Sequence, residues 1–248
     1  YRLNLYPNSQ SENTGTADSP VWKYASPVNA TSGSATSTTT NAQVNDGQLY
    51  VNNGFWDTYR TVWPLYSFLY PDFAEKLVNG FVEQYRADGW ISRWSSPGYS
   101  DLMTGTSSDA SFAEAYISGA LSTKVALEAY DAALKNATVL PTSPFSGTSA
   151  SAVGRKGLDT SQFLGYTSTA TGESVSWGLE GYVNDYAIGK MAEKLAADPD
   201  TPAARVDTLK DEAAYFLSRA QDAVNLFDPS VGFFQGRNAS GAFAKSKA

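Results

Sequence analysis

Large apolar residues recur every four positions between residues 72 and 88, and no other feature restricts the fold of this sequence as strongly. Residues four apart lie on the same face of an α-helix, so the spacing predicts one amphipathic helix over this stretch. A glycine follows directly, at the position where glycine commonly ends a helix. The residues on the predicted apolar stripe are Phe73, Leu77, Phe81 and Tyr85.

Further stretches have helical periodicity and are separated by well-marked polar loops, which favours an all-α fold. The stretch 173–197 is apolar on two faces, whereas 202–227 is apolar on one face. A helix that is apolar on two faces is usually packed on both sides. Helices of these two kinds suit an α/α toroid, in which inner and outer helices alternate. The other predicted helices span 59–70, 109–136 and 158–165.

Residues 1–50 lack helical periodicity, and three prolines interrupt the stretch. Residues 31–47 are dominated by Ser, Thr and Asn, a composition typical of a surface loop. We therefore predict an irregular lead-in with a Ser/Thr-rich loop over 1–50, followed by a helical region over 51–248.

The stretch GFWDTYRTVWPLYSFLYPDF, which begins at Gly54, places an acid and a base among aromatic rings. Asp57 and Arg60 would lie about one helical turn apart, beside Trp56. A sugar-binding site explains the combination, because charged groups bind hydroxyls while rings pack on the C–H face of a sugar. A structural ion pair that fixes a loop to a helix explains it equally well.

Two further stretches place charged residues beside apolar ones. Arg93 stands between Trp90 and Trp94 in GWISRWSSPGY, a pattern seen where a cation is held against rings. Both tryptophans fit the alternative of simple core residues. Asp109 opens a predicted helix in GTSSDASFAEAY, where helix capping explains it more simply than ligand binding.

Two glutamates lie seven residues apart in GESVSWGLEGYVNDYAI, and two helical turns place them on one face. Glu173 stands at the predicted helix start, where the helix dipole favours an anion. Glu180 lies on the apolar side, where a carboxylate needs a binding partner. Glu180 is therefore the better candidate for a functional carboxylate.

The absence of two residue types excludes several kinds of chemistry. The 248 residues include no Cys, which excludes thiol nucleophiles, cysteine–zinc sites and disulfides. They include no His, which excludes Ser-His-Asp triads and His-ligated metals. Acid–base catalysis would then depend on carboxylates, Tyr or Lys. The net charge is −7 without basic runs, so nucleic acid is a poor partner, and no run approaches the ~18 apolar residues of a membrane span.

Five segments of the sequence form a recognisable set: GFWDTYRTVWPL, GWISRWSSPGY, TGTSSDASFAEAY, ESVSWGLEGYVNDYAI and NLFDPSVGFFQGR. Together they resemble the catalytic domain of glycoside hydrolase family 92, a family of exo-acting α-mannosidases. The resemblance runs from about Gly47 to Arg237 and leaves out a Pro/Ser-rich linker. It implies a calcium-dependent, inverting hydrolase that removes terminal α-mannose, built from an N-terminal β-sandwich and a C-terminal (α/α)6 barrel.

The resemblance also implies a fold class and roles for individual residues. The fold would be all-α, part of an (α/α)6 toroid or barrel with an irregular N-terminal segment. Asp57 would be a substrate-binding carboxylate for a mannose-containing glycan. The other residues expected to bind substrate or to support its binding are Arg60, Arg93, Asp109, Glu180, Trp56 and Trp94.

The sequence departs from the family in one respect that affects function. The family continues with segments of the types EGN-x-W-Q, NEP-x-HH and GND, which carry the general acid, the calcium ligands and the general base. None of them is present. We therefore expect 51–248 to be a partial (α/α)6 catalytic barrel, without its downstream half or the β-sandwich. The catalytic pair and the calcium ligands are expected downstream of Ala248, on the remaining half of the same enzyme, and the fragment alone is expected to be inactive.

Two other functions fit the same residues. In a different α/α-toroid glycoside hydrolase, the acid and base would come from Asp57, Asp109, Glu173 and Glu180. In a non-catalytic carbohydrate-binding helical protein, Asp57 and Arg93 would bind sugar without turnover.

Three Asn-X-Ser/Thr sequons, at Asn29, Asn136 and Asn238, predict glycosylation if the protein is exported. A Ser/Thr-rich sequence also generates such sequons by chance. Charged residues make up only 17% of the chain, so Ser, Thr, Asn and Gly must cover much of the surface. This composition is common in exported proteins, and we predict a secreted glycoprotein.

Overall fold

Eight α-helices are the main elements of the computed structural model, which describes residues 8–9, 11–29, 33–142 and 150–244. Two 3₁₀ helices, Ala150–Ala152 and Gln221–Leu226, accompany them. The α-helices are α1 (Phe55–Thr58), α2 (Val62–Leu69), α3 (Pro71–Asp88), α4 (Ser108–Ile117), α5 (Thr123–Thr138), α6 (Leu158–Leu164), α7 (Ser174–Ala197) and α8 (Ala203–Ala220).

The longer helices lie in two layers of three. Helices α2, α4 and α7 form the first layer, in which each helix contacts the next. Helices α3, α5 and α8 form the second layer, where Arg86 pairs with Glu128 between α3 and α5. Arg205 pairs with Asp131 between α8 and α5. Because the chain alternates between the layers, the described residues form three helical hairpins side by side, which confirms a largely helical fold.

The helix predicted from the four-residue spacing is α3. The middle of its stripe faces the core, since Leu77 and Phe81 are fully buried, whereas Phe73 in the first turn is 41% exposed. Pro71 occupies the first turn, where its missing N–H is not needed, and the helix ends at Gly89. Periodicity therefore located this element within one residue of its observed bounds.

The single helix predicted over 109–136 consists of two helices, α4 and α5. The first ends at Ile117, and Gly119 adopts a left-handed φ of +87° that turns the chain. Ala120 and Leu121 in the turn are buried like their helical neighbours. Periodicity does not reveal the break, because apolar residues continue through the turn.

The lead-in contains more regular structure than the sequence predicts. Its strands are two to four residues long, too short for an alternating pattern to appear. Residues 33–40 are exposed, as expected for the Ser/Thr-rich loop. Strands β2 (Glu12–Asn13), β3 (Trp22–Ala25) and β4 (Val44–Asp46) form an antiparallel sheet, β1 (Asn8–Ser9) pairs with β5 (Tyr50–Val51), and β6 (Asn53–Gly54) pairs with β7 (Trp94–Ser95).

The last predicted helix is shorter than its apolar pattern. Helix α8 ends at Ala220, and the 3₁₀ helix follows it. Val224, an apolar residue of the predicted helix 202–227, is 73% exposed, because a 3₁₀ helix has three residues per turn and rotates its side chains away from the α-helical stripe. Antiparallel strands β8 (Phe227–Asp228) and β9 (Phe233–Phe234) come next.

Four aromatic rings hold the first helices together. Phe55 of α1 lies 5.5 Å from Phe112 of α4 and 4.9 Å from Phe81 of α3, measured between ring centroids. Trp63 of α2 stacks on Phe55 at 5.7 Å. All four side chains are fully buried, and each buried Phe contributes about 1.5–3 kcal/mol. This packing fixes α1, which carries the candidate site.

Candidate functional site

The pairing of β6 with β7 brings Trp94 beside Asp57. Gly54 is the register partner of Trp94, and α1 begins at the next residue. The indole Nε1 of Trp94 donates a hydrogen bond to Oδ2 of Asp57 at 3.1 Å. A Cβ on Gly54 would lie 2.2 Å from both of these atoms, so only glycine leaves room for the contact. Asp57 itself is exposed.

Arg60 and Tyr59 contact a carboxylate from the third hairpin. Arg60 donates from Nη2 to Oε1 of Glu180 at 2.6 Å, and the Tyr59 hydroxyl donates to Oε2 at 3.0 Å. The guanidinium of Arg60 lies 4.5 Å from the ring centroid of Tyr59 and 5.8 Å from that of Trp56. Cation–π attraction therefore holds Arg60 over the rings.

These contacts define one surface, made of residues from α1, the segment after it, β7 and α7. We call it the aromatic–carboxylate surface. Two carboxylates on it accept hydrogen bonds, a guanidinium donates them, and three rings supply flat apolar faces. That combination suits a sugar, which presents hydroxyls at its rim and C–H groups on its face. Its members are Trp56, Asp57, Tyr59, Arg60, Trp94 and Glu180.

Arg93 was predicted to bind substrate, and the structure favours a structural role instead. Its side chain is buried and pairs with Asp101. It donates to the carbonyl of Ser151 at 2.5 Å and lies 5.0 Å from the ring centroid of Trp177. Arg93 directly precedes β7, and its side chain is buried whereas that of Trp94, the first residue of the strand, is partly exposed.

Asp109 is also engaged within the protein rather than on the surface. It accepts hydrogen bonds from Thr106 Oγ1 at 2.6 Å, Asn136 Nδ2 at 2.9 Å and Arg155 Nη2 at 3.3 Å. Burial raises its pKa to about 6, although these partners lower it. Ser107, not Asp109, occupies the helix N-cap. A fully buried carboxylate with three internal donors supports the fold, not the substrate.

Sequence reasoning missed three charged residues that complete this network, namely Arg155, Asp185 and Arg219. Asp185 of α7 accepts hydrogen bonds from Arg155 at 2.5 Å and from two nitrogens of Arg219, each at 2.6 Å. The sequence did contain a signal for Asp185, because an aspartate on a helix that is apolar on two faces is expected to be buried with a binding partner. No comparable signal marked Arg155, which follows a polar linker. The network ties α4, α7 and α8 together with compensated charge.

The sequons differ in their surroundings. Asn136 is buried and its Nδ2, the atom that would carry a glycan, donates to Asp109. We therefore remove Asn136 from the predicted glycosylation sites. Asn29 is partly buried and uses Nδ2 for the carbonyl of Ala87 at 2.7 Å. Asn238 is exposed, and within its turn the side-chain Oδ1 accepts hydrogen bonds from Ser240 and Ala242.

No metal site is formed by the part of the chain that the structure describes, since no three acidic side chains there cluster closely enough to hold an ion. The described residues therefore do not fit a calcium site, and no chemical step is derived through calcium. Within the same residues, none of the helices has the length and apolar character needed to cross a membrane.

Comparison with known proteins decides the family. A sequence model of the glycosyl hydrolase family 92 catalytic domain matches residues 1–248. The chain belongs to this family. The resemblance based on five segments is thereby confirmed. A family 92 inverting mannosidase from Bacteroides thetaiotaomicron VPI-5482 is similar to the whole of this family 92 chain, with a TM-score of 0.78 and 27% sequence identity.

A family 92 α-mannosidase from Bacteroides thetaiotaomicron is more distant. Solved with mannoimidazole, it has a TM-score of 0.65 and 22% identity over 84% of this chain. A second structure of the family 92 α-mannosidase has a TM-score of 0.63 and 20% sequence identity over 84% of this chain. At these identities the likeness shows the fold alone. A comparison with curated proteins finds no match. This family 92 chain spans 29%, 25% and 26% of the lengths of the three solved chains.

Proposed function

We propose that this chain forms part of an exo-acting α-mannosidase that hydrolyses terminal α-mannose from glycans by an inverting mechanism. Membership of family 92 supports a glycoside hydrolase, and the relative at 27% identity is described as an inverting mannosidase. The observation that carries the proposal is the aromatic–carboxylate surface, where Asp57 is exposed and Glu180 is partly accessible beside aromatic rings.

The proposed role of this surface is to bind and orient a mannose-containing glycan. Asp57 accepts a bond from Trp94 on one oxygen, which leaves the other oxygen for a sugar hydroxyl. Arg60 uses Nη2 for Glu180, and its remaining N–H groups serve as donors. The rings of Trp56 and Trp94 pack on the C–H face of the sugar.

We assign the general acid and base to chain downstream of Ala248. An inverting pair needs two carboxyl groups about 6.5–9.5 Å apart with a water between them. Asp109 and Asp185 are buried in bonds to arginines, so they do not reach a sugar. Asp57 and Glu180 are already held by donors and suit binding. Calcium belongs to the intact enzyme in this proposal, with ligands outside the described residues.

The finer architecture is a proposal of the same kind: the three hairpins form half of an (α/α)6 barrel, completed by the remaining half of the same enzyme. Large apolar side chains on first-layer helices support it. Leu65 and Phe68 of α2 are exposed, and so are Val183 and Tyr186 of α7. Apolar groups on a layer of this kind are expected to be covered by neighbouring helices.

We also propose that the protein is secreted and carries a glycan at Asn238, with Asn29 as a second acceptor. The exposure of Asn238 within an Asn-X-Ser sequon supports this. Loss of mass on treatment with a glycan-releasing enzyme tests it, and an unchanged mass after expression through a glycosylating secretory pathway contradicts it.

Hydrolysis of an aryl α-mannoside by the intact enzyme that contains this chain tests the proposed function. We expect turnover that chelation abolishes and added calcium restores, with β-mannose as the first product in a proton spectrum. Asp57→Asn is expected to raise KM about tenfold, because hydrogen bonds to charged groups contribute about 1.5–3 kcal/mol.

Three outcomes would contradict this function in different ways. Hydrolysis of another glycoside in place of α-mannosides would favour a different α/α-toroid hydrolase. Mannose binding without turnover by the intact protein would favour a carbohydrate-binding module. Turnover by residues 1–248 alone would place the catalytic pair within this chain.

A further inference from the structure

Two consecutive residues donate hydrogen bonds to the carboxylate of Glu180. The Tyr59 hydroxyl donates to Oε2 at 3.0 Å, and Arg60 donates from Nη2 to Oε1 at 2.6 Å. Arg60 also lies 4.5 Å from the ring centroid of Tyr59. Each of the three side chains therefore contacts the other two.

The two donors differ in how firmly they can fix the carboxylate. Arg60 is 53% exposed, and an ion pair at such a position contributes little, because water screens it and the long side chain is mobile. Tyr59 is partly buried and has only two side-chain torsions. Burial and the charge of Glu180 raise the pKa of Tyr59 to about 12, so the hydroxyl keeps its proton at ordinary pH.

The backbone at Gly105 lies close to the stem of Glu180. Gly105 has a left-handed φ of +79°, and a Cβ at this position would lie 2.8 Å from Cβ of Glu180. The stem of the glutamate is thus confined. A carboxylate has about four lone-pair sites, and the bonds to Tyr59 and Arg60 use two of them. The side chain remains 14% exposed, so a remaining site is open to a substrate hydroxyl.

We propose that Tyr59 is a positioning residue of the aromatic–carboxylate surface, whose hydroxyl fixes the orientation in which Glu180 accepts a hydrogen bond from the glycan. This inference rests on the proposed function, since it names the residue that prepares the same surface for substrate. Tyr59 acts through Glu180 and is not assigned a contact with the sugar.

A double-mutant cycle in the intact enzyme tests the inference. Tyr59→Phe keeps the ring beneath Arg60 and removes only the hydroxyl. We expect KM for an α-mannoside to rise about tenfold with kcat nearly unchanged, the size expected for one hydrogen bond to a charged group. In a Glu180→Gln background, the same change should raise KM less than about twofold. Tyr70→Phe is the matched control, because Tyr70 is an exposed tyrosine just after α2.

The possible results distinguish failure of the role proposed for Tyr59 from failure of the proposed α-mannosidase function. Equal losses from Tyr59→Phe in both backgrounds, with a lowered Tm, would show a structural tyrosine and overturn the inference. An unchanged KM in the single variant would overturn it as well. If the wild-type enzyme hydrolyses α-mannosides, either result removes only the role of Tyr59. If the wild type hydrolyses no α-mannoside, the proposed function fails and the inference fails with it.

Discussion

Asp109 carries an energetic cost that its hydrogen bonds do not remove. Removal from water raises its pKa to about 6 from an ordinary value of 3.8, although Arg155, Thr106 and Asn136 act in the opposite direction. The folded protein therefore holds the proton up to about pH 6, whereas the unfolded chain releases it near 3.8. Between these values the folded state binds more protons.

This difference predicts a pH-dependent stability. The contribution of Asp109 is complete below about pH 4 and is lost as pH rises through 6, with an upper bound of about 3 kcal/mol. Asp109→Asn removes the titrating group and should flatten the pH dependence of the free energy of unfolding over this range. Urea unfolding of both proteins at several pH values measures it. Equal slopes for wild type and variant would contradict the prediction.

Single residues were predictable where a polar group interrupted an apolar pattern. Asp57, Arg60 and Glu180 were found in this way, and the structure brings them to one side of the protein. Arg155 was not predictable, because its burial depends on Asp109 and Asp185, which lie 46 and 30 positions away. The residues next to Arg155 in the sequence form no pattern that indicates these contacts.

A whole helix was predictable from the sequence where the stretch with helical apolar periodicity begins and ends at the same residues as the helix. Helices α3 and α7 begin and end within one residue of their predicted bounds. The break between α4 and α5 was missed because Ala120 and Leu121, which are apolar and buried, continue the helical pattern through the turn. The pairing of β6 with β7 was missed because a two-residue strand is too short to show an alternating pattern, and the two strands lie about 40 positions apart in the sequence.

The pairing of β6 with β7 predicts the effect of a methyl group at Gly54. The backbone of Gly54 is extended, with φ −90° and ψ 103°, so alanine introduces no torsional strain. The added Cβ would lie 2.2 Å from Asp57 Oδ2 and from Trp94 Nε1. Gly54→Ala should therefore break their hydrogen bond, raise KM for α-mannosides at least tenfold and lower stability by about 1–3 kcal/mol.

Gly172→Ala is the control for this variant, since a Cβ there meets no atom within 4 Å. It should leave KM unchanged. Kinetics and urea unfolding of the two variants are compared in the intact enzyme. A Gly54→Ala enzyme with the KM and stability of wild type would show that the contact between Asp57 and Trp94 does not depend on this glycine.

At the scale of the molecule, the candidate site is a product of the fold. Arg60 and Glu180 meet although 120 positions separate them, because α2, α4 and α7 lie side by side. Helical periodicity predicts each element but not which elements are neighbours. The resemblance to family 92 predicted Arg60 and Glu180 as neighbours in one site, together with Arg93 and Asp109. The structure brings Arg60 and Glu180 into contact and buries Arg93 and Asp109 inside the protein.

The exposed apolar residues of the first layer give the last prediction. Phe68 is 82% exposed among the described residues, although its helix α2 packs against α3 and α4. If further helices complete the barrel, they cover Phe68 in the intact enzyme.

Phe68→Asp should then lower the free energy of unfolding by about 3 kcal/mol or more, since it places a charge in an apolar contact. Phe68→Leu, which keeps an apolar side chain, should cost about 1 kcal/mol. Urea unfolding of the intact enzyme measures both variants, and a change within about 0.5 kcal/mol for Phe68→Asp would mean that Phe68 faces water in the complete protein.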